Sequence, residues 1–271
     1  MKTHYVIFSA VLLAACAAPS QRDMPADTPL DDIDIGVLWT QYSAEYQAVS
    51  AQVYAAARRD LPRLLADADW TALPREQAVA GKPPAIILDV DETVVSNAAY
   101  QRTLANAPYA RYGHFDWMRN NEAVPVRGAA ETISAARAAG VEVFFLTNRA
   151  CEQFEGVDGE CPYEQVTIDD LREAGIETDP EHVLMAWEQP GWKKEKLTRR
   201  EHIAKTYRVI MLFGDDYGDF VRCTRAKALA PCTAAATRAS RHTALDTYAN
   251  YWGNGWYILP NPMHGSWTSV R

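Results

Sequence analysis

The chain has no long apolar segment. Its apolar stretch near the start, Tyr5 to Leu13, falls well short of the roughly 20 residues that a membrane-spanning helix needs. Positive charge is also in short supply: 27 Lys and Arg stand against 35 Asp and Glu, for a net charge of −8. That balance argues against a nucleic-acid partner, since such binding rests on Lys/Arg neutralising phosphates. A small anionic substrate remains compatible if cations collect locally. Cysteine is limited to 5 residues, with no Cys-x-x-Cys spacing and no nearby histidines, so a zinc site is not expected. Internal repeats and low-complexity tracts are absent. What is present, 271 residues with 48% hydrophobic content, suffices for one large globular domain or a core with helical additions.

The first residues combine a basic start at Lys2, the apolar stretch, and Leu13-Ala14-Ala15-Cys16. Small residues before a cysteine resemble the bacterial lipobox, so residues 1–15 are expected to be a cleaved signal and Cys16 to carry lipid. Ala17 after the cysteine resembles the pattern of lipoproteins sent to the outer membrane. The expected location is the bacterial cell envelope, periplasmic or surface facing. Residues 16–34, rich in Pro, Asp and small polar types, form the lipidated flexible tether. In an oxidising compartment the other four cysteines read as disulfides, Cys151 with Cys161 and Cys223 with Cys232. Local pairing is favoured among the three connectivities because short loops close easily.

From Val37 to Leu65 the residues Trp39, Tyr42, Tyr46, Val49, Val53, Ala57, Leu61 and Leu64 recur at steps of three and four, which predicts a long amphipathic helix or helix pair within an N-terminal helical segment, 35–82. Beyond it, in a core spanning 83–271, candidate strands at 85–90, 141–146, 182–186, 207–213 and 256–259 alternate with candidate helices at 127–139, 164–174 and 193–205. Gly140 and Gly175 act as helix stops. Strand-helix alternation implies an α/β fold with a doubly wound parallel sheet. Residues 97–125 read as a small inserted cap.

Asp89 and Asp91 close the first apolar run. In an extended segment side chains i and i+2 share a face, and two like charges held together need a cation or a shared proton. A bare Asp-x-Asp is often a polar turn. Three further clusters change that reading. The second strand ends in Thr147-Asn148-Arg149, a set of oxyanion-binding groups. The third helical stretch, Gly191 to Arg200, begins with several cations, Lys193, Lys194, Lys196 and Arg199 among them. The fourth strand ends in Gly214-Asp215-Asp216-Tyr217-Gly218-Asp219. Two strands that each deliver carboxylates suit a hard, oxygen-ligated cation such as Mg2+ better than zinc or copper.

The order Asp-x-Asp-x-Thr, Thr-Asn-Arg, Lys, Gly-Asp-Asp-x-x-Asp resembles the four motifs of the haloacid-dehalogenase superfamily of phosphotransferases. Residues 87–101, Ala-Val-Pro at 123–125, Gly-Asp-Asp-Tyr-Gly-Asp-Phe at 214–220 and Leu-Pro-Asn-Pro-Met-His-Gly-Ser-Trp at 259–267 narrow the resemblance to the class C acid phosphatases, known from bacterial lipoproteins. The resemblance implies an HAD-like fold and hydrolysis of small phosphomonoesters, 5'-nucleotides among them. Asp89 would be the nucleophile, forming an aspartyl-phosphate. Asp91, protonated at the start, would serve as acid and then base. Thr147 and Lys196 would bind phosphoryl oxygens, with Lys193 and Lys194 as competitors for the lysine role. Magnesium is assigned to the Asp89 side chain, the Asp91 backbone carbonyl and the Asp215 side chain, with Asp219 as further acidic support. Asp216 stands where relatives often carry Asn, which makes this motif more acidic.

Asn148, Tyr112, Trp117 and His264 are the expected substrate-binding residues. Phe115 and Trp267 are further aromatic candidates, and His264 stands where relatives often carry Tyr. A phosphonatase would need a lysine in the insertion, and 97–125 has none. So small an insertion leaves the site open. Transfer of phosphate to an alcohol and a non-catalytic surface lipoprotein are the alternatives, and the oligomeric state stays open, a dimer included.

Overall fold

The computed structural model describes residues 34–270 apart from 74, 76–77 and 105–108. The signal segment, Cys16 and the tether up to residue 33 lie outside the described residues. The amphipathic stripe breaks into two helices at Ser43. Helix α1 (Ile35–Tyr42) starts at Asp34, whose carboxylate accepts from the Gly36 and Val37 N–H groups at 2.7 and 3.3 Å. Helix α2 (Ala44–Ala66) starts at Ser43, whose hydroxyl accepts from Tyr46 N–H at 3.0 Å. Along the chain follow β1 (Pro84–Leu88), β2 (Val95–Ser96), α3 (Ala98–Thr103), α4 (Arg111–Met118), β3 (Val124–Pro125), α5 (Ala129–Ala138), β4 (Glu142–Ala150), α6 (Pro162–Glu173), β5 (Val183–Ala186), α7 (Leu197–Thr206), β6 (Arg208–Gly214), α8 (Arg238–Thr247) and β7 (Trp256–Ile258).

Strands β5-β4-β1-β6-β7 form a parallel sheet in that order. Both faces of the sheet are covered. Ile86 and Leu88 of β1 join Val143 and Phe145 of β4 and Tyr54, Leu61 and Leu64 of α2 in one core; Ala85 and Ile87 join Phe144, Leu146, Leu212 and Ile203 in the other. Alternation along each strand thus feeds two apolar layers, which is why the strands read as continuous apolar runs. From β1 the chain moves to β4 and β5 on one side, then returns to β6 on the other. The order therefore reverses between β1 and β6, and in such sheets the carboxyl ends at the reversal frame a crevice. The insertion is tied at its base by the antiparallel pair β2/β3, with Val95 opposite Pro125 and Ser96 opposite Val124.

Three boundaries and one further helix differ notably from the sequence expectation. Strand β1 stops at Leu88, because Asp89 and the residues after it turn into the site. Strand β4 runs on through Thr147, Asn148 and Arg149 to Ala150. Helix α7 starts at Leu197 instead of 193, because Lys196 takes the cap position. Helix α8 has no buried residue and so no apolar stripe to announce it; its start is a Thr237/Ser240 capping box. Gly140 and Gly175 do end their helices, at φ 76° and 81°. The local disulfides Cys151–Cys161 and Cys223–Cys232 are both formed. Among the described residues no helix is long and apolar enough to cross a membrane.

Candidate active site

The crevice at the reversal holds the acidic motifs. Asp89 follows the last residue of β1 and extends the ladder, its N–H donating to the Phe213 carbonyl at 3.0 Å. Asp215 and Asp219 follow β6. Carboxylate oxygens of Asp89, Asp215 and Asp219 lie within 4.8 Å of one another. The approach of Asp219 depends on Gly214, since a Cβ there would overlap the Asp219 side chain. We therefore expect Gly214→Ala to fold but to lose on the order of 100-fold in kcat, by displacing Asp219 and the lysine it holds; steady-state kinetics beside a thermal melt would check this.

That lysine is Lys196. Its Nζ lies 2.7 Å from Asp89 Oδ1 and 2.6 Å from Asp219 Oδ1, with the side chain almost wholly buried. Burial works against its charge, but Asp219 and Asp89 outweigh it and raise its proton affinity. Of the three competing lysines the structure thus selects Lys196 for contact with Asp89; Lys193 and Lys194 are exposed. One ammonium does not balance three carboxylates. Burial first, then the charges of Asp219 and Asp89, push the Asp215 carboxyl well above its usual range. Burial and the Asp89 charge also raise Asp219, with Lys196 opposing. An all-oxygen donor set that would otherwise have to hold protons fits a hard divalent cation.

Asp91 is not in this trio. Its carboxylate accepts from Arg149 Nη2 at 2.7 Å, from Nε at 3.0 and 3.2 Å, and from Asn97 Nδ2 at 2.7 Å. Burial alone would raise its pKa, yet Arg149 outweighs burial and holds the carboxyl well below the usual range. The resting group is therefore ionised, in contrast to the protonated start expected from sequence. Only its backbone carbonyl is left as a cation ligand. Arg149 is not a free oxyanion binder either. Its guanidinium also pairs with Asp170 of α6 at 2.5 Å and donates to Thr167 Oγ1 at 3.2 Å, over the ring of Tyr163. Burial lifts the Asp170 carboxyl to about 6 despite that partner.

Thr147 is fully buried, and its hydroxyl accepts from the Arg149 N–H at 3.1 Å, which leaves the hydroxyl proton to donate. Arg199, also fully buried, donates to Asn148 Oδ1 at 2.7 Å and to the Lys193 carbonyl at 2.9 Å, and its Nη1 is bonded to the Thr147 carbonyl. With its oxygen taken, Asn148 has its NH2 to offer the cavity it lines. Asp216, the acidic departure in the fourth motif, turns away from the trio: it accepts from Gly218 N–H at 2.7 Å and from the Ser266 backbone and hydroxyl, fastening the C-terminal segment.

The cavity over these groups has a volume of about 410 Å3. His264 lines it and is held by Glu92, its Nε2 2.9 Å from the buried carboxylate; that charge overcomes burial and raises the imidazole pKa. Tyr112 and Trp117 are not among the lining residues. Tyr112, itself exposed, packs on Phe154 beyond β4 at 5.5 Å, and Trp117 packs on Tyr100 within the insertion at 5.7 Å. Phe115 and Trp267 are likewise absent from the lining. Tyr109 and His114 supply the aromatic wall instead. His114 is buried, bonded through Nδ1 to the Tyr163 hydroxyl at 2.6 Å, and burial pushes its pKa down to about 4. The sequence carried no periodic or motif signal for His114 or Asp170; Glu92 lay inside the 87–101 motif without a role of its own, and Arg199 read only as part of a basic helix start.

Residues 31–267 match the family described as HAD superfamily, subfamily IIIB (Acid phosphatase). Among solved structures, the chain is similar to the class C acid phosphatase from Bacillus anthracis, at 27% identity and a TM-score of 0.67 over 86% of this chain and 85% of that one. It is also similar to the crystal structure of class C acid phosphatase from Bacillus anthracis with tungstate bound, at 26% identity and a TM-score of 0.66 over the same shares.

Proposed function

Because this chain belongs to the HAD superfamily, subfamily IIIB acid phosphatases, and is a phosphoric monoester hydrolase acting on small phosphate esters, we propose that it works through an aspartyl-phosphate on Asp89, with magnesium as its cation. The observation that carries this reading is the Lys196 bridge between Asp89 and Asp219, which holds the nucleophile beside a carboxylate cluster in need of a cation.

An Asp89 oxygen attacks phosphorus as the bond to the ester oxygen breaks. The leaving oxygen takes a proton from Asp91. Water then loses a proton to Asp91 as its oxygen attacks the aspartyl-phosphate, releasing phosphate and regenerating Asp89. Asp91 rests ionised, so it takes up a proton from solvent as the substrate binds, the phosphoryl charge arriving beside it raising its proton affinity, and it enters the first step as the acid. Lys196 keeps Asp89 in place, while Thr147 and Asn148 donate to phosphoryl oxygens. Magnesium, held by Asp89, Asp215 and the Asp91 carbonyl, would offset charge between nucleophile and phosphate.

The cavity suits small phosphomonoesters, 5'-nucleotides among them, with His264 and Tyr109 as ring-bearing walls for the leaving group. We expect hydrolysis of an aryl phosphate to fall on the order of 1000-fold on chelation and to return with Mg2+; full turnover in excess chelator would refute the metal assignment. Cys16 would anchor the enzyme at the cell envelope. Fractionation should find it with membranes, and Cys16→Ser in the soluble fraction with its activity intact.

A further inference from the structure

The reaction uses the floor of the cavity, but its mouth carries a second charge pattern. Lys194 and Arg225 both line it, and among the described residues neither makes an ion pair. Some surface arginines are paired, Arg111 with Glu152 at 2.8 Å, Arg119 with Asp116 at 2.8 Å and Arg172 with Asp169 at 2.5 Å. In a chain of net charge −8, what sets these two cations apart is that both line the substrate cavity itself.

Their placement is built in. Glu195, next to Lys194, accepts the Cys223 N–H at 3.1 Å, which ties the lysine's turn to the loop that carries Arg225. That loop is closed by the Cys223–Cys232 disulfide. Arg241 braces it, donating to the Thr224 carbonyl and to the Ser266 hydroxyl, both at 2.7 Å. The neighbouring carboxylate, Asp216, is already committed to Ser266 and Gly218. Burial, then the charges of Arg225 and Arg111, lower the proton affinity of Lys194, while Arg225 also lies in the field of the Asp216 carboxylate, which it helps keep ionised. Ser266 and Thr268 add hydroxyl-bearing residues to the same rim.

We propose that Lys194 and Arg225 form a second anion subsite at the cavity mouth, so that the enzyme prefers phosphomonoesters whose leaving group carries a further phosphoryl group. The inference rests on the phosphatase reading above and names a substrate class for that site. Two partly exposed cations, each contributing modestly, correspond to about tenfold in specificity.

The test compares kcat/KM of the full-length enzyme for α,ω-alkanediol bisphosphates of increasing chain length with that for the matching alkyl monophosphates. A statistical factor of two is allowed for the equivalent ends. We expect about a tenfold preference for one range of chain lengths, weakening as salt is raised. It should be reduced in Lys194→Met and in Arg225→Met, retained in Arg225→Lys, and absent in the double variant. Hydrolysis of both classes with a ratio near one, or a preference that survives in the double variant, overturns the subsite and leaves the phosphatase reading standing. Hydrolysis of neither class overturns both.

Discussion

Asp89→Asn is expected to lose on the order of 10^4-fold or more in turnover of an aryl phosphate while remaining folded. The loss is large because one oxygen pair does three things. A carboxamide is a far weaker nucleophile, it no longer contributes its charge to a cation, and it gives up half of the bridge to Lys196. The fold survives because Lys196 keeps Asp219 at 2.6 Å, so no buried ammonium is stranded. Removing one charge from three crowded carboxylates also relieves repulsion. Two readings check this together: steady-state rates, and acid-quenched protein assayed for bound phosphate that hydroxylamine releases. The wild type should carry that phosphate and the variant should not. A variant retaining turnover within tenfold would move the nucleophile away from Asp89.

Arg149→Met should destabilise the protein by about 3–5 kcal/mol, the cost typical of removing one partner from a buried ion pair. The guanidinium has two carboxylates on it, Asp91 and Asp170, and the Arg149 and Asp170 side chains are only 1% and 4% exposed. Methionine fills part of the space but leaves Asp170 buried without a counter-charge. The pH dependence has a definite sign. Asp170 already has its pKa lifted to about 6 in the folded protein, against an unfolded value near 3.9, so its ionisation opposes folding at pH above that range and ceases to as pH falls through it. Without Arg149 the folded value rises further, and the destabilisation should be greater at pH 8 than at pH 5. Adding Asp170→Asn should recover part of the loss, since a neutral amide needs no counter-charge. Urea unfolding of the single and double variants at both pH values measures each term, and an Arg149→Met midpoint equal to wild type would show that the pair carries no net stability.

Arg149 also marks where reading along the chain stops. Thr147-Asn148-Arg149 looked like three oxyanion-binding groups because their types and strand-end position suit that task. The third is occupied by carboxylates 58 and 21 residues away in sequence, a pairing made only when α6 packs on the sheet beside β4. Tyr112 and Trp117 were plausible cavity walls on composition. The packing of α4 instead sets Trp117 on Tyr100 and Tyr112 on Phe154, and the cavity wall is made by His114 and Tyr109, which no periodicity singled out.

The sequence by itself determined the α/β class, the strand-end placement of Asp89, Asp91 and Asp215, and the local cysteine pairing. Each of these depends on interactions within a segment or between near neighbours: apolar runs that need two buried faces, carboxylates two residues apart, loops short enough to close. Tertiary structure alone decided which lysine reaches Asp89, that Asp91 rests ionised against Arg149, that Asp216 secures the C-terminal segment instead of joining the trio, and which rings face the cavity. Those outcomes turn on charge pairing and burial between segments far apart in the chain. Their energies depend on distances of a few ångströms that no spacing in the sequence encodes.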